Sequence, residues 1–127
     1  MKKASYFIPA VLYYLLIFIV SSQNYDSPLL GHGLDKAAHF VEFSLLGFFL
    51  SLGYFNIFSF PPGIKAFLVF ITGLPLGILD ELHQNFVPGR TSAASDVMAD
   101  AAGIIAGVLV YLFFAKMKKR PPESGAA

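Results

Sequence analysis

Two clusters of chemically capable side chains stand out in this chain. One is Asp35, Lys36, His39 and Glu42; the other is Asp80, Glu81, His83, Gln84, Arg90, Asp96 and Asp100. Carboxylates beside imidazoles take and give protons, and the same oxygen and nitrogen donors ligate divalent metals. Lys and Arg clamp anionic groups. The spacing suits helices: Asp35, His39 and Glu42 are four and three apart, Asp80 and Gln84 four apart, and Asp96 and Asp100 four apart, so each set shares a helix face. Asp80 and Glu81 are neighbours and point to different sides of their helix. Asp80 is the deeper and the first candidate for a pocket. His83 is expected at the water boundary. No recognised metal-ligand spacing, phosphate-binding Gly loop, nucleophile elbow or zinc-protease helix is present. The chemistry therefore stays open between proton transfer, ligand binding and metal ligation, with no cofactor assigned.

The elements that must hold these residues are apolar. The chain has 127 residues, of which 56% are hydrophobic and 13% charged, and its mean hydropathy is +0.65. A soluble domain of this size could not hide so much apolar side chain, so the composition implies an all-α polytopic membrane protein. A single domain over residues 1–127 is expected, with membrane helices at about 5–22, 35–57, 64–84 and 95–115. Val20-Ser21-Ser22 would pass as a signal cleavage site, but the preceding apolar run is long for a signal peptide and reads as a span. The stretch 23–34 reads as a loop, and Asn56 to Gly63, with Pro61-Pro62-Gly63, as a hard break. Asp35 is placed as an N-cap or first-turn acid, and Ser92 or Ser95 as an N-cap. Gly73 with Gly77, and Gly103 with Gly107, are spaced for close helix approach, and the Phe residues are expected as lipid-facing bulk. The tail at about 119–127 is expected to be disordered. Without Cys, disulfides and thiolate sites are excluded. The net charge of +1 gives no sign of nucleic acid.

Basic residues set the expected orientation. Lys2, Lys3, Lys65, Lys116, Lys118, Lys119 and Arg120 fall at one end of a four-span arrangement, with only Arg90 in the third loop. Both termini are therefore expected to be cytoplasmic. Every residue of the two polar clusters then falls on the extracytoplasmic side, forming a pocket that opens outward. Six acids (Asp35, Glu42, Asp80, Glu81, Asp96, Asp100) meet two fixed cations (Lys36, Arg90), an excess of four negative charges if all ionise. Burying that excess unpaired would be prohibitive. Some acids must be protonated, be wet, or meet a cation: a metal, a protonated His or a ligand ammonium. His39 and Glu42 lie too deep to be caps, and interhelical hydrogen bonding is their plain alternative role. Asp100 must face the bundle. Arg90 is expected to pair with Asp80 or Asp96 or to grip an anionic headgroup.

With these residues in view, the chain resembles the VanZ-like family of small bacterial membrane proteins. The resemblance rests on Asp35-Lys36…His39, Asp80-Glu81…Gln84, Pro88-Gly89-Arg90, Asp96, Gly103 and Gly107, roughly Asp35 to Gly107. One position departs: the family usually has Asn where this chain has Asp100, which donates a hydrogen bond only when protonated. The family name, linked to teicoplanin resistance, implies a multi-pass protein of the cytoplasmic (inner) membrane acting in the cell envelope.

Two functions are carried forward. In the first, the pocket binds or protects against an amphiphilic or lipid-linked ligand, such as a cell-wall precursor or a lipoglycopeptide, through Asp35, Lys36, Glu81, Gln84, Arg90, Asp96 and Asp100. In the second, an acid/base or metal-assisted enzyme acts on a lipid-linked headgroup, with Asp80 or Glu42 as general base and His39 as proton shuttle. A structural subunit that uses the pocket as helix glue ranks below both. A transporter ranks last, because no polar path crosses the apolar half.

Overall fold

The computed structural model describes residues 2–23, 32–90, 92–121 and 125. They form four helices and, among the described residues, no strand. A 3-10 turn at Ala4–Phe7 leads into α1 (Ile8–Ser21), followed by α2 (His32–Ile57), α3 (Pro62–Gln84) and α4 (Ala94–Lys118). All four are long and apolar enough to cross a membrane. The loop expected at 23–34 falls mostly outside the described residues, as do 122–124 and 126–127 of the tail.

The helix ends follow local chemistry. α2 already runs from His32, so Asp35 sits in its first turn, where a negative charge complements the helix dipole. Pro62 occupies the first turn of α3, where its missing N–H costs nothing. Neither Ser92 nor Ser95 caps α4: the N-cap is Ala93, with no side-chain cap bond. The Ser92 hydroxyl donates instead to Asn85 Oδ1 at 2.6 Å, tying the two ends of the α3–α4 loop together.

The helices run up and down, and α2 touches each of the others. α1 contacts α2 and α3, and among the described residues it does not contact α4. The core runs along α2 through Phe43, Leu46 and Leu50, and meets Val69 of α3 and Ile104 and Val108 of α4. Phe43 is fully buried, so the expectation that the Phe residues are lipid-facing fails there. Its ring fills the space beside Gly77 and Gly103, which a larger residue would close. The α2–α4 contact is the closest in the bundle. A Cβ at Gly103 would lie 2.5 Å from the Phe40 carbonyl oxygen, and one at Gly107 would strike that of Ser44.

α1 is held more sparsely. Ala10, Ile17 and Ser21 are its buried residues, a stripe of one helix face, while Val11, Leu12, Leu15 and Ile19 stay exposed as a lipid-facing surface. The Tyr14 hydroxyl donates to the Leu76 carbonyl at 3.0 Å, one residue past Pro75 of α3.

The two ends of the bundle differ in chemistry. Buried polar side chains gather at the end away from the chain termini: Ser21, His39, Asp80, Glu81, Gln84, Asp96 and Asp100. The exception is Ser51, whose hydroxyl folds back onto the Gly47 carbonyl. The terminal end carries an aromatic cluster in which Phe7 packs edge-on against Tyr54 and the Tyr54 hydroxyl meets Thr72 Oγ1 at 2.6 Å. Lys65 lies over the Phe55 ring at that end.

Candidate functional site

At the polar end, α2 presents Asp35, His39 and Glu42 on one face, as their spacing requires. All three line a cavity of about 140 Å³, together with Val20 and Ser21 of α1, Gln84 of α3 and Arg90 of the α3–α4 loop. Gly89 shapes that loop. Its φ of 80° is open to glycine at little cost, and Arg90 closes the turn by donating its backbone N–H to the Val87 carbonyl at 3.2 Å. The Arg90 side chain then lies over the cavity mouth, with Nη1 donating to the Gln23 carbonyl at 3.4 Å.

Asp80 and Glu81 are adjacent and both buried, but they serve different partners. Asp80 turns toward α1, where its Oδ1 accepts a hydrogen bond of 2.5 Å from the Ser21 hydroxyl. Gln84, one turn on, donates through Nε2 to Asp80 Oδ2 and to Ser21 Oγ, both at 3.3 Å. Glu81 turns toward α2, with Oε1 3.5 Å from His39 Nδ1. The same His39 nitrogen lies 2.9 Å from Asp100 Oδ1 of α4. The two adjacent acids thus point to different sides, as expected, and belong to two adjoining groups, Ser21–Asp80–Gln84 and His39–Glu81–Asp100, while neither lines the cavity itself.

The remaining candidates sit around these groups. Lys36 Nζ lies 3.8 Å from Asp96 Oδ1, with the lysine side chain 42% exposed and the aspartate buried. That contact is longer than a hydrogen bond and leaves the Lys36 side chain partly open to its surroundings. Among the described residues, Arg90 makes no ion pair with Asp80 or Asp96. Among the described residues it is the fixed cation in the cavity wall. His83 stacks on Phe18 and its Nε2 meets the Ser22 hydroxyl at 2.8 Å, at an exposed position on the rim.

The residues that could hold a metal fall into two sets that share His39: His39 with Glu81 and Asp100, and His39 with Asp35 and Asp96. Within each set the ligand atoms lie within 4.8 Å of one another. Both oxygens of Glu81, Oδ1 of Asp96 and Oδ2 of Asp100 are buried without a hydrogen-bond partner among the described residues.

A sequence model of the VanZ/LLP1 family matches residues 3–115. The chain belongs to that family. A search of curated proteins and a search of solved structures each found no match. The match takes in all four helices and both polar groups of this VanZ/LLP1 protein, and it begins before α1, so the first helix is part of the family unit.

Sequence reasoning missed Ser21 as a site residue. A Ser of the Ser21-Ser22 pair at the end of an apolar span carries little signal. The available clue was its place on the same α1 stripe as Ala10 and Ile17, which turns its hydroxyl inward, where only a polar partner could satisfy it. His39 and Asp100 stand 61 residues apart, and their pairing required the fold.

Proposed function

We propose that this membrane protein binds an amphiphilic or lipid-linked ligand of the bacterial cell envelope, at the outer face of the cytoplasmic membrane. One observation carries the reading: the space beside α1 changes character along its length. At the polar end lies the cavity with Asp35, His39, Glu42 and Arg90 in its wall. Farther along α1, a groove of about 310 Å³ lies between α1 and α3, lined by Phe7, Ala10, Val11, Tyr14, Thr72 and Leu76, with Leu46 and Leu50 of α2 also in its wall. Glu42 and Leu46 are one turn apart on α2, so the polar cavity and the apolar groove follow each other along one face. A polar head above a hydrocarbon chain matches that sequence of surfaces. Arg90 supplies a fork for an anionic group, and Asp35 and Glu42 accept from hydroxyl or ammonium donors. The basic residues at the terminal end support an outward-facing cavity. The family name supports a part in glycopeptide resistance, with a lipid-tailed glycopeptide or a lipid-linked wall precursor as ligand.

The test is teicoplanin susceptibility of a bacterium expressing the chain, beside Asp80→Asn and Arg90→Ala variants present at equal membrane levels. Resistance from the parent that is lost in both variants supports the reading. No change even with the parent removes the glycopeptide. Mass spectrometry of amphiphiles that co-purify with the parent and not with Arg90→Ala then decides whether the cavity is a binding site at all.

A second reading is favoured by the His39–Asp100 contact. A carboxylate on Nδ1 fixes the imidazole and leaves Nε2 as the ring nitrogen for a bound headgroup, the arrangement of a general acid/base. Turnover of a lipid-linked substrate that disappears in His39→Gln, with binding retained, selects this enzyme reading. Binding without turnover selects the first.

A further inference from the structure

The group His39–Glu81–Asp100 lies beneath the cavity and brings together three helices, and its internal contacts do not satisfy it. Asp100 is fully buried and Glu81 is 4% exposed. Asp100 Oδ1 has His39, but Asp100 Oδ2 and both Glu81 oxygens have no hydrogen-bond partner among the described residues. A buried carboxylate without partners is costly in a soluble core and more so at membrane depth. Lys36, the nearest lysine in sequence, has its ion contact with Asp96 at 3.8 Å and, among the described residues, none with Glu81 or Asp100. The ligand atoms of the three residues lie within 4.8 Å of one another, with Nδ1–Oδ1 at 2.9 Å and Nδ1–Oε1 at 3.5 Å. Donors held at about 2.0–2.2 Å around one cation stand roughly 3 to 3.5 Å apart, so these separations already suit shared coordination.

We propose that His39 Nδ1, Glu81 and Asp100 bind one divalent first-row cation of the Zn²⁺ or Mn²⁺ type. One imidazole nitrogen and two carboxylates form a borderline-to-hard donor set, which suits these ions. The charge balances locally, since two carboxylates neutralise a divalent ion and His39 stays neutral. Three ligands from α2, α3 and α4 leave coordination positions open. Asp35 and Asp96, which share His39 in the second set of nearby donors, mark the route by which the ion arrives from the polar end. With the cation on Nδ1, the ring proton of His39 resides on Nε2, which becomes a donor to whatever occupies the cavity. The site depends only on the three side chains, so it stands whether or not the cavity takes an amphiphile.

The experiment uses the full chain in detergent micelles, stripped with chelator and titrated with Zn²⁺ and Mn²⁺. The parent is expected to take up about one equivalent of one of these ions per chain and to unfold at a higher temperature when loaded. Glu81→Gln and Asp100→Asn are each expected to weaken binding by more than about tenfold, while Lys65→Ala, at the terminal end, binds like the parent. Pulsed electron paramagnetic resonance of the Mn²⁺-loaded parent is expected to reveal a coupled histidine nitrogen, a readout that needs no variant to fold. The proposal is overturned if stripped parent takes up neither ion. It is also overturned if folded Glu81→Gln binds as tightly as the parent, or if bound Mn²⁺ has no nitrogen coupling.

Discussion

α4 and α1 meet α2 on different terms. Along α4, Gly103 and Gly107 bring two backbones into contact, and the room beside that pair is an outer groove of about 260 Å³ lined by Ser44, Phe48, Gly107 and Phe114. Along α1, a narrow buried stripe and three hydrogen bonds to α3 hold the helix, while the cavity and the apolar groove open beside it. The closed seam fixes Asp100 against His39 to within a hydrogen-bond length. The open seam leaves room for a guest. Rigidity lies where donor atoms must converge, and free volume lies where something must enter.

The sharpest way to break this contrast is Gly107→Leu. Its Cβ would strike the Ser44 carbonyl, a backbone atom that cannot swing away, and overpacking of this kind is expected to cost about 3 kcal/mol or more. Thermal unfolding followed by circular dichroism should reveal a large fall in midpoint or a failure to recover folded protein. Ser21→Ala comes next. It leaves the buried Asp80 Oδ1 without its hydroxyl donor, at an expected cost of about 1–3 kcal/mol. Ser21→Thr, which keeps the hydroxyl, should regain most of that loss in the same unfolding measurement. Tyr14→Phe removes one helix-to-helix hydrogen bond and is expected to cost about 1 kcal/mol. The smallest effect on stability is expected from Val11→Trp. Val11 is exposed at the groove, so the change should stay within about 0.5 kcal/mol. It should nonetheless weaken amphiphile binding by about tenfold or more, equivalent to roughly 1.4 kcal/mol. The chain has no native Trp, so emission from the new indole would report directly on occupation of the groove.

The four spans were legible because apolar runs of membrane length, broken by Pro and Gly, leave few alternatives. Asp35, His39 and Glu42 were placed on one wall by helical spacing alone, and together they line the cavity. What spacing could not reveal was partnership between helices. The orientation of Asp80 toward Ser21, and of Glu81 toward His39, depends on how α3 is rotated between α1 and α2. Adjacent residues on one helix carry no record of that rotation. The Ser residues before α4 misled for a related reason. Ser92 has a stronger partner in Asn85 across the loop than any α4 backbone N–H, so a local propensity gave way to a tertiary contact. Lys36 was readable as a cation beside acids, but its contact with Asp96 was set by the approach of α4.

The spread of the His39–Glu81–Asp100 group over three helices bears on how the protein is made. α1 and α2 are threaded into the bilayer first, so Asp80 finds the Ser21 hydroxyl waiting, and Glu81 finds the imidazole of His39. α4 comes last with two aspartates, Asp96 in its first turn and Asp100 one turn deeper, both buried against the other helices. Its polar end is met by a surface that already offers His39, 2.9 Å from Asp100, and Lys36, 3.8 Å from Asp96. The helices synthesised earlier act as an internal receptor for the polar end of the final one.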